Sequence, residues 1–407
     1  MPGGPSLKNV KAPAEVPVLT IRRVPFFDGL SRRAFIAAIT LAAASMVALA
    51  GSGNLTLPFA HITTLEGEAA SKADLFDDLQ VQRLLLKHNI QVHIARAGSR
   101  DLAVGNVDSF DFVFPSGQPA SVLITQQRQR LGRYTTTYRP FMSPLVLATY
   151  RDYAEALRQA GVAAPQQNGR DQPLYFDLDL GRFLQLGRDH VPWTALGVRT
   201  HLTNGNTILA QTSSVCASNS AATYLGMVAY QTLGSAPASE SQAETIAKQL
   251  KPLLREQGLS STAPADVYLS PEGHNIAPIS AIYEHQYLAH QLQFQEQHGE
   301  LDTNRVLLYP RAAFQTQPEL IALNSKGDQL GQLLQNDPEL RRREMELGYR
   351  LLDPSGTNSS DRLSDFLAAH SVPVPTDTSH TTAARLPEVP ELEKMISIVG
   401  ECPAKGN

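Results

Sequence analysis

The sequence predicts an α/β fold with largely parallel sheets. Short apolar segments that suit buried strands alternate with segments whose apolar residues recur at helical spacing, and Gly-, Pro- and Ser-rich turns separate them. The chain has 407 residues, of which 42% are hydrophobic and 18% charged. This composition is globular, and the length allows two or three domains of roughly 100–200 residues.

The first half of the body shows the alternation directly. Leu75 and Leu79 recur at helical spacing, whereas Ile90, Val92 and Ile94 alternate with polar residues as a half-buried strand does. The predicted helices here are 75–88, 118–129, 153–159 and 183–186, and the predicted strands are 90–94, 112–114, 145–148 and 175–178.

The second half continues in the same way. Ser241 and Glu244 form a capping box, which predicts that a helix begins there and extends to about residue 257. The other predicted helices are 219–233, 285–297, 330–347 and 362–369, and the predicted strands are 207–210, 267–269, 279–283 and 306–309. From residue 373 the sequence is rich in Pro and Thr, so we expect a loose tail with at most one last helix at 391–398.

The charge balance bears on the class of partner. Lys plus Arg total 35 and Asp plus Glu total 39, a formal net charge of -4. Six of the basic and two of the acidic residues lie in 1–50, so the remaining chain is acidic. A nucleic-acid-binding surface needs a basic patch, and we therefore predict no nucleic-acid partner.

Residues 1–50 carry features of an export signal. Ser31-Arg32-Arg33-Ala34-Phe35 leads into 34–50, a stretch of 17 residues without a charge that ends in Ala48-Leu49-Ala50. The Arg pair before an apolar stretch resembles a twin-arginine signal, and the small residues suit cleavage. An uncleaved signal anchor is the alternative, although about 20 apolar residues are needed to span a bilayer. Both interpretations predict that the chain after residue 50 lies in the periplasm or outside the cell.

The chain has two cysteines, Cys216 and Cys402. In an oxidising compartment they can pair and close a long loop. Nothing in the local sequence requires the pair, so a disulfide and two unpaired thiols both remain open.

The candidate binding residues lie in turns rich in Gly, Ser and Thr. In open α/β sheets, ligands bind at the carboxyl ends of strands, close to helix N-termini. Hydroxyl and backbone N–H groups at such turns can hold a small polar or anionic ligand. The predicted ligand-binding residues are Thr64, Gly67, Ser99, Arg100, Ser116, Ser214, Ser218, Asn219, Ser220 and Tyr283.

Each of these candidates also has a purely structural interpretation. The helix after Ser218 has no acidic residue in its first turn, which favours an anionic guest, but Ser and Asn are also ordinary helix caps. Arg100 is followed by Asp101, which can neutralise it. Tyr283 can reach a cleft or fill the core with a satisfied hydroxyl.

Motifs of catalysis and cofactor binding are missing. The sequence contains no G-x-S-x-G elbow, no phosphate-binding or dinucleotide-binding Gly motif and no H-E-x-x-H. His285 and His290 are five residues apart, a spacing that does not place both on one helix face, so we interpret them as packing residues. We predict no catalytic residue, no cofactor and no metal site.

Six segments resemble a known family when they are taken together. They are 91–102 (QVHIARAGSRDL), 111–120 (DFVFPSGQPA), 141–150 (FMSPLVLATY), 213–230 (SSVCASNSAATYLGMVAY), 278–288 (PISAIYEHQYL) and 306–310 (VLLYP). In order and context they resemble type II periplasmic solute-binding proteins, over residues 55–372. Within that family they look most like an uncharacterised extracellular substrate-binding branch.

The resemblance implies two α/β lobes joined by a hinge of two crossing strands, 145–150 and 306–309, with a ligand between the lobes. Lobe one would comprise 55–144 and 306–372, and lobe two 145–305. The signal would occupy 1–50 and a C-terminal tail 373–407. The sequence departs from the oxyanion binders of this fold at Glu66, which would repel an anion or bind an amine.

The function expected from the resemblance is reversible capture of a small molecule by an exported, monomeric, non-enzymatic protein. An ABC-type permease or a sensor would read the closed form, and the membrane would be touched only through the N-terminal segment. One alternative is a membrane-tethered interaction protein with a degenerate cleft. Another is an envelope enzyme on the same scaffold that uses Glu66, Ser99 or Cys216.

Overall fold

The structure is a computed structural model, and it describes residues 40–41, 44–45, 61–166, 172–196, 203–256, 264–311, 314–353, 360–376 and 385–402. The chain divides into two units, 1–57 and 58–407. In the first unit, the four described positions are helical. The arginine pair and the cleavage site of the predicted export signal lie outside the described residues. Within the ranges given above, no helix is both long enough and apolar enough to cross a membrane.

The strands of the second unit are β1 Thr63–Ala69, β2 Ile90–Arg96, β3 Phe112–Phe114, β4 Thr136–Tyr138, β5 Phe141–Tyr150, β6 Ala163–Pro165, β7 Tyr175–Leu178, β8 Ile279–Tyr283, β9 Arg305–Pro310, β10 Gln315–Thr316, β11 Leu320–Ala322 and β12 Arg350–Leu351.

The helices are α1 Ala73–Asp77, α2 Leu79–Lys87, α3 Ser99–Val104, α4 Gln118–Arg130, α5 Arg151–Gln159, α6 Leu180–Arg188, α7 Trp193–Leu196, α8 Asn219–Leu233, α9 Glu240–Glu256, α10 Pro264–Leu269, α11 Gly273–Ile276, α12 Glu284–His298, α13 Ser325–Asn336, α14 Pro338–Glu346, α15 Ser360–Ala369 and α16 Val389–Gly400.

Lobe one is built on a five-stranded sheet of order β2-β1-β3-β11-β4. The neighbours β2, β1 and β3 run parallel, whereas β11 is antiparallel to β3 and β4. Aromatic side chains fill the core beside this sheet, and the rings of Phe141 and Tyr349 stack with centroids 3.9 Å apart. Three parallel strands therefore end at the same edge of the sheet.

Lobe two is built on a seven-stranded sheet that contains β10-β5-β9-β7-β6, with β8 and β12 also paired to β5. Its core is the larger of the two, and α8 is buried along most of its length. The apolar composition of α8 explains this burial, because its sequence contains no charged residue.

Strand β5 joins the lobes. Phe141, its first residue, belongs to the core of lobe one, whereas Leu145 and Leu147 belong to the core of lobe two. Leu147 pairs with Leu308 of β9, which runs antiparallel beside it and returns the chain toward lobe one. The predicted α/β fold of two lobes with crossing strands is confirmed by this arrangement. The expected largely parallel pairing is wrong for lobe two, because among the described pairings of its sheet only β7 and β9 run parallel.

After β12, which pairs with the lobe-one end of β5, the chain packs again in the core of lobe two, and the sequence did not reveal this. Leu363 and Leu367 of α15, and Val372 after it, pack in the core of lobe two. The expected extent of lobe one, 306–372, is therefore too long at its C-terminal end. The reason is the apolar face of α15, which lobe two buries.

The C-terminal segment is likewise part of lobe two over its described residues. Leu392, Met395, Ile396 and Val399 of α16 are buried in the core of that lobe, where α16 packs against α8 and α9. The last helix expected at 391–398 is present, as 389–400, but it packs in a core, so the expectation of a loose tail is wrong for this segment. The Pro- and Thr-rich composition suggested a loop, but the buried apolar residues of α16 pack against α8 and α9, which are far away in sequence.

Several element predictions need correction. Residues 63–67, interpreted as a turn, lie in β1, and 267–269, interpreted as a strand, lie in α10. Thr207 makes only an isolated bridge with Pro192 instead of opening a strand. The helix expected at 330–347 is two helices, because Asp337 caps α14 by accepting a hydrogen bond from the Leu340 N–H.

A disulfide joins Cys216 to Cys402, with the two Cα atoms 5.4 Å apart. Cys216 lies in the loop that precedes α8, and Cys402 follows α16. The bond closes a loop over a sequence separation of 186 residues. It therefore ties the C-terminal helix to the N-terminal end of α8.

We expect Cys402→Ser to lower the free energy of unfolding, by up to about 5 kcal/mol for a loop of this length in the chain-entropy model. Urea denaturation measures the change. The wild-type protein with dithiothreitol should match the variant, and dithiothreitol should leave the variant unchanged. Equal midpoints for oxidised and reduced wild type would contradict a contribution of the disulfide to stability.

Candidate functional site

Three turns of lobe one meet at one edge of its sheet. They are 70–72 after β1, 97–98 after β2 and 115–117 after β3. The hydroxyl oxygens of Ser71 and Ser116 are 2.7 Å apart, and the Ser116 N–H donates to the Ser99 hydroxyl oxygen at 3.0 Å. Parallel neighbouring strands thus bring three hydroxyl groups into one hydrogen-bonded network.

The facing wall belongs to lobe two and begins at the N-terminus of α8. Ser218 caps this helix by accepting a hydrogen bond from the Ala221 N–H at 3.4 Å. The hydroxyl oxygens of Ser218 and Ser220 are 2.8 Å apart. Because the first turn of α8 carries no acidic residue, its N-terminus keeps its positive partial charge available.

The end of β8 completes this wall. Tyr283 is the last residue of β8, and its N–H donates to the Gln286 side-chain oxygen at 3.1 Å. The Tyr283 side chain is buried, and its hydroxyl has no hydrogen-bond partner in the described part of the chain.

A cavity of about 570 Å³ lies between the two walls. Six of the ten predicted binding residues line it, two from lobe one and four from lobe two. They are Ser99, Ser116, Ser218, Asn219, Ser220 and Tyr283. Residues more than a hundred positions apart in sequence therefore share one cleft.

Thr64 and Gly67 do not line this cavity, because they lie within β1 instead of after it. Thr64 is exposed near the start of the strand. Gly67 is buried against the ring of Phe112, where a Cβ atom would clash. The turn after β1 comes at Ala70 and Ser71, three residues beyond the predicted position.

Arg100 and Ser214 lie beside the cavity but do not line it. Both terminal nitrogens of Arg100 pair with the Glu393 carboxylate of α16, so its charge is used within the protein. Ser214 organises the loop before α8, since its carbonyl oxygen accepts from the Ser218 N–H at 2.9 Å. Its neighbour Ser213 lines the cavity in its place.

Sequence reasoning missed several lining residues, among them Ser71, Asp74, Arg96, Asp266 and Gln286. The signal for Ser71 was present: Leu65, Gly67 and Ala69 are buried and alternate with polar residues, as in a half-buried strand. The other four follow from tertiary structure and carried no motif.

The charges of the cleft are mixed. Arg96 pairs with Asp74 at 3.1 Å and with Asp77. Partial burial raises the pKa of Asp74, Arg96 opposes this rise, and Asp266 from the facing lobe adds to it. Asp266 itself is exposed to solvent. The carboxylates thus occupy part of the lining, and the hydroxyl groups occupy another part.

The lobes touch each other where Gly98 and Ala217 line the cavity. The Arg100 N–H donates to the Ala217 carbonyl oxygen at 3.5 Å, and a Cβ atom on Gly98 would come within 2.5 Å of that oxygen. Gly117 similarly approaches the Asn219 side chain. The close approach depends on glycine at both positions, because a side chain at either one would push the two lobes apart.

Of the three residues considered for an enzyme, Glu66, Ser99 and Cys216, only Ser99 lines the cavity. Cys216 is held in the disulfide and has no thiolate to offer. Glu66 pairs with His93 at 3.1 Å and does not line the cavity. Among the residues that the structure describes, no cluster of three His, Cys, Asp or Glu side chains suits a metal ion.

No protein-family model and no curated protein matches this chain. Among solved structures, it is similar to iron-bound HitA from Pseudomonas aeruginosa, with 13% identity, coverage of 84% of this chain and 100% of that chain, and a TM-score of 0.47.

Two further structures show the range of similar proteins. The substrate-binding protein of an ABC transporter from Agrobacterium tumefaciens has 12% identity, with 84% and 97% of the two chains covered and a TM-score of 0.47. A mutant of Corynebacterium glutamicum OxyR has 10% identity, with 84% and 76% covered and a TM-score of 0.36. At these identities and TM-scores, the ligands and activities of these proteins are not transferred to this chain.

The close contact at Gly98 predicts a conformational effect. In Gly98→Ala the added methyl group meets the Ala217 carbonyl oxygen, so the lobes should stay further apart and the radius of gyration in small-angle X-ray scattering should increase. Gly205→Ala is the matched control, because nothing lies within 4 Å of its added carbon. Identical radii for Gly98→Ala and wild type would show that the contact is not populated in solution.

Proposed function

We propose that this protein is an exported solute-binding protein that captures a small polar or anionic ligand between its two lobes. An ABC-type importer or a sensor is the proposed recipient of the closed, liganded form. The observation that carries the proposal is the single cavity lined by Ser99 and Ser116 from lobe one and by Ser218, Ser220 and Tyr283 from lobe two.

Reversible capture needs groups on both sides of a hinge. A ligand that contacts both lobes stabilises the closed form over the open form by its differential affinity for the two. The proposed ligand contacts are the six lining residues predicted from sequence, with Ser71 added from the structure. Hydroxyl groups suit this role because they both donate and accept hydrogen bonds.

The lining supports ligand capture over a degenerate cleft. A scaffold whose cleft has lost its ligand would fill it with bulky apolar side chains, whereas this cavity is open and its lining combines Ser, Asn, Asp and Arg residues with small apolar residues, mostly Ala. Covalent catalysis is not part of the proposal, because the Ser99 hydroxyl accepts from a backbone N–H and no described histidine contacts it.

Export is also part of the proposal. The twin-arginine-like segment in 1–50 would deliver the folded body to the periplasm or the cell exterior, with membrane contact only through that segment. The disulfide between Cys216 and Cys402 suits an oxidising compartment. We propose that the body acts as a monomer, with no nucleic-acid partner.

A thermal-shift screen tests the function. Wild-type protein should gain melting temperature with at least one compound among oxyanions, amino acids, small carboxylates and neutral polar solutes. Ser220→Asp should abolish that gain, because a carboxylate would fill the cleft and repel an anion. The unliganded variant should not melt lower, since an acid in the first turn of a helix contributes about 0.3–1 kcal/mol.

Ser241→Asp is the matched control, because Ser241 lies exposed in the first turn of α9 and outside the cavity. This control should keep the full ligand shift. A ligand shift that survives in Ser220→Asp would place the site elsewhere, and a screen without any shift would argue against solute capture.

A further inference from the structure

The hydroxyl of Tyr283 points to the chemistry of the ligand. Tyr283 lines the cavity and is only 3% exposed, yet its hydroxyl makes no hydrogen bond with the described residues. The Asn219 amide lies near this hydroxyl without the geometry of a hydrogen bond. A buried polar group normally has a partner, and a ligand in the cavity can provide the acceptor.

Tyr283 stays protonated near neutral pH and is therefore a donor. Burial raises its pKa to about 12, and the Asn219 amide opposes the rise. A neutral phenol O–H donates best to a charged oxygen.

A buried cation lies behind the Tyr283 ring. The Lys72 ammonium nitrogen is 4.4 Å from the ring centroid and 3.4 Å from Nε2 of His285, and the Lys72 side chain has no exposed surface. In the described part of the chain, no carboxylate oxygen lies within ion-pair distance of this nitrogen. Fully buried lysines are rare and are normally paired.

The position of Lys72 extends a positive potential into the cleft. A cation on the face of an aromatic ring is attracted to the electrons of that ring. Its positive charge also makes the phenol hydroxyl a stronger hydrogen-bond donor. The N-terminus of α8, with Ser218 and Ser220, adds positive partial charge on the same wall.

Building on the solute-capture function proposed above, we propose that the ligand is an oxyanion whose charged oxygen accepts from the Tyr283 hydroxyl, and that Lys72 balances this charge from behind the ring. Phosphate, sulfate and carboxylate groups share this chemistry. Lys72 is a positioning residue, since it acts on the ligand through Tyr283. The acidic lining does not prevent this, because Arg96 pairs with Asp74 and the exposed Asp266 is screened by solvent.

The arrangement makes binding depend on pH. Burial lowers the pKa of Lys72 to about 7, and Asp74 on α1 opposes the change. A bound anion stabilises the charged ammonium, so Lys72 takes up a proton on binding. Affinity for an oxyanion should therefore be highest below neutrality and fall as the pH rises through about 7.

The other groups around Lys72 are neutral in this range or already paired. Burial holds the pKa of His285 well below its usual value, and it raises that of Tyr349, which faces Lys72 from the turn before β12. Glu284 of α12 pairs with Arg350 of β12. Burial also raises the pKa of Glu344 in α14 well above its usual value. Ser143 of β5 contacts His285 and is uncharged.

Isothermal titration of the full chain tests the proposal with sodium phosphate, sulfate and acetate, with glucose and putrescine as neutral and cationic probes. Measurements are made one pH unit below and one above neutrality. At least one oxyanion should bind, more weakly at the higher pH. Tyr283→Phe keeps the ring and should weaken binding roughly ten- to a hundredfold, the loss expected for a hydrogen bond to a charged group.

Lys72→Met should weaken binding and remove its pH dependence. Tyr134→Phe and Lys248→Met are matched controls at exposed positions outside the cavity, and they should bind as wild type does. Titration of wild type in buffers of different ionisation enthalpy measures proton uptake directly, without relying on a variant that folds poorly.

The possible outcomes distinguish a failure of the oxyanion inference from a failure of the proposed solute-capture function. Oxyanion binding that is unchanged in Tyr283→Phe, or that takes up no proton, would overturn the inference and leave solute capture standing. Binding of glucose or putrescine alone would do the same. Binding of none of the probes here, together with no hit in the broader thermal-shift screen, would overturn both.

Discussion

Strand β5 is the element on which the two-lobe arrangement depends. It is buried along its whole length, and it pairs with β12 and β10 at its start and with β8 and β9 further along. One continuous strand therefore belongs to both bodies and fixes how the edges of the two sheets face each other. A polar residue without a partner in this strand would disturb both cores, because backbone and side chains here have no access to water.

The cleft follows from that constraint and from the direction of the strands. Because β1, β2 and β3 are parallel, their carboxyl ends deliver Ser71, Ser99 and Ser116 to one edge. The facing edge receives the start of α8 and the end of β8. The disulfide ties α16 to the start of α8, and Glu393 of α16 reaches Arg100 of lobe one, so the C-terminal helix connects the two walls of the cleft.

Local patterns predicted the parts of this site that depend on local sequence. The apolar strand 112–114, the turn after it and the capped helix after Ser218 were recognisable, and the structure has Ser116 after that strand and Ser218 at that cap, as expected. Thr64 was predicted to lie in a turn because the Thr and Gly residues of β1 are typical of turns, although buried and exposed residues alternate along this segment as they do in a strand. The packing of α16 was not predictable, since it depends on contacts with segments more than a hundred residues away. Lys72 carries no signal at all, because only the tertiary structure buries it.

The central claim is that segments of both lobes close around one ligand. Amide hydrogen exchange measures this directly, with and without a mixture of phosphate, sulfate and acetate. The account predicts simultaneous protection of residues 97–100 and 116–118 in lobe one and 217–221 in lobe two, because all three segments border the cavity. Protection confined to one lobe, or found only at segments remote from the cavity, would contradict it.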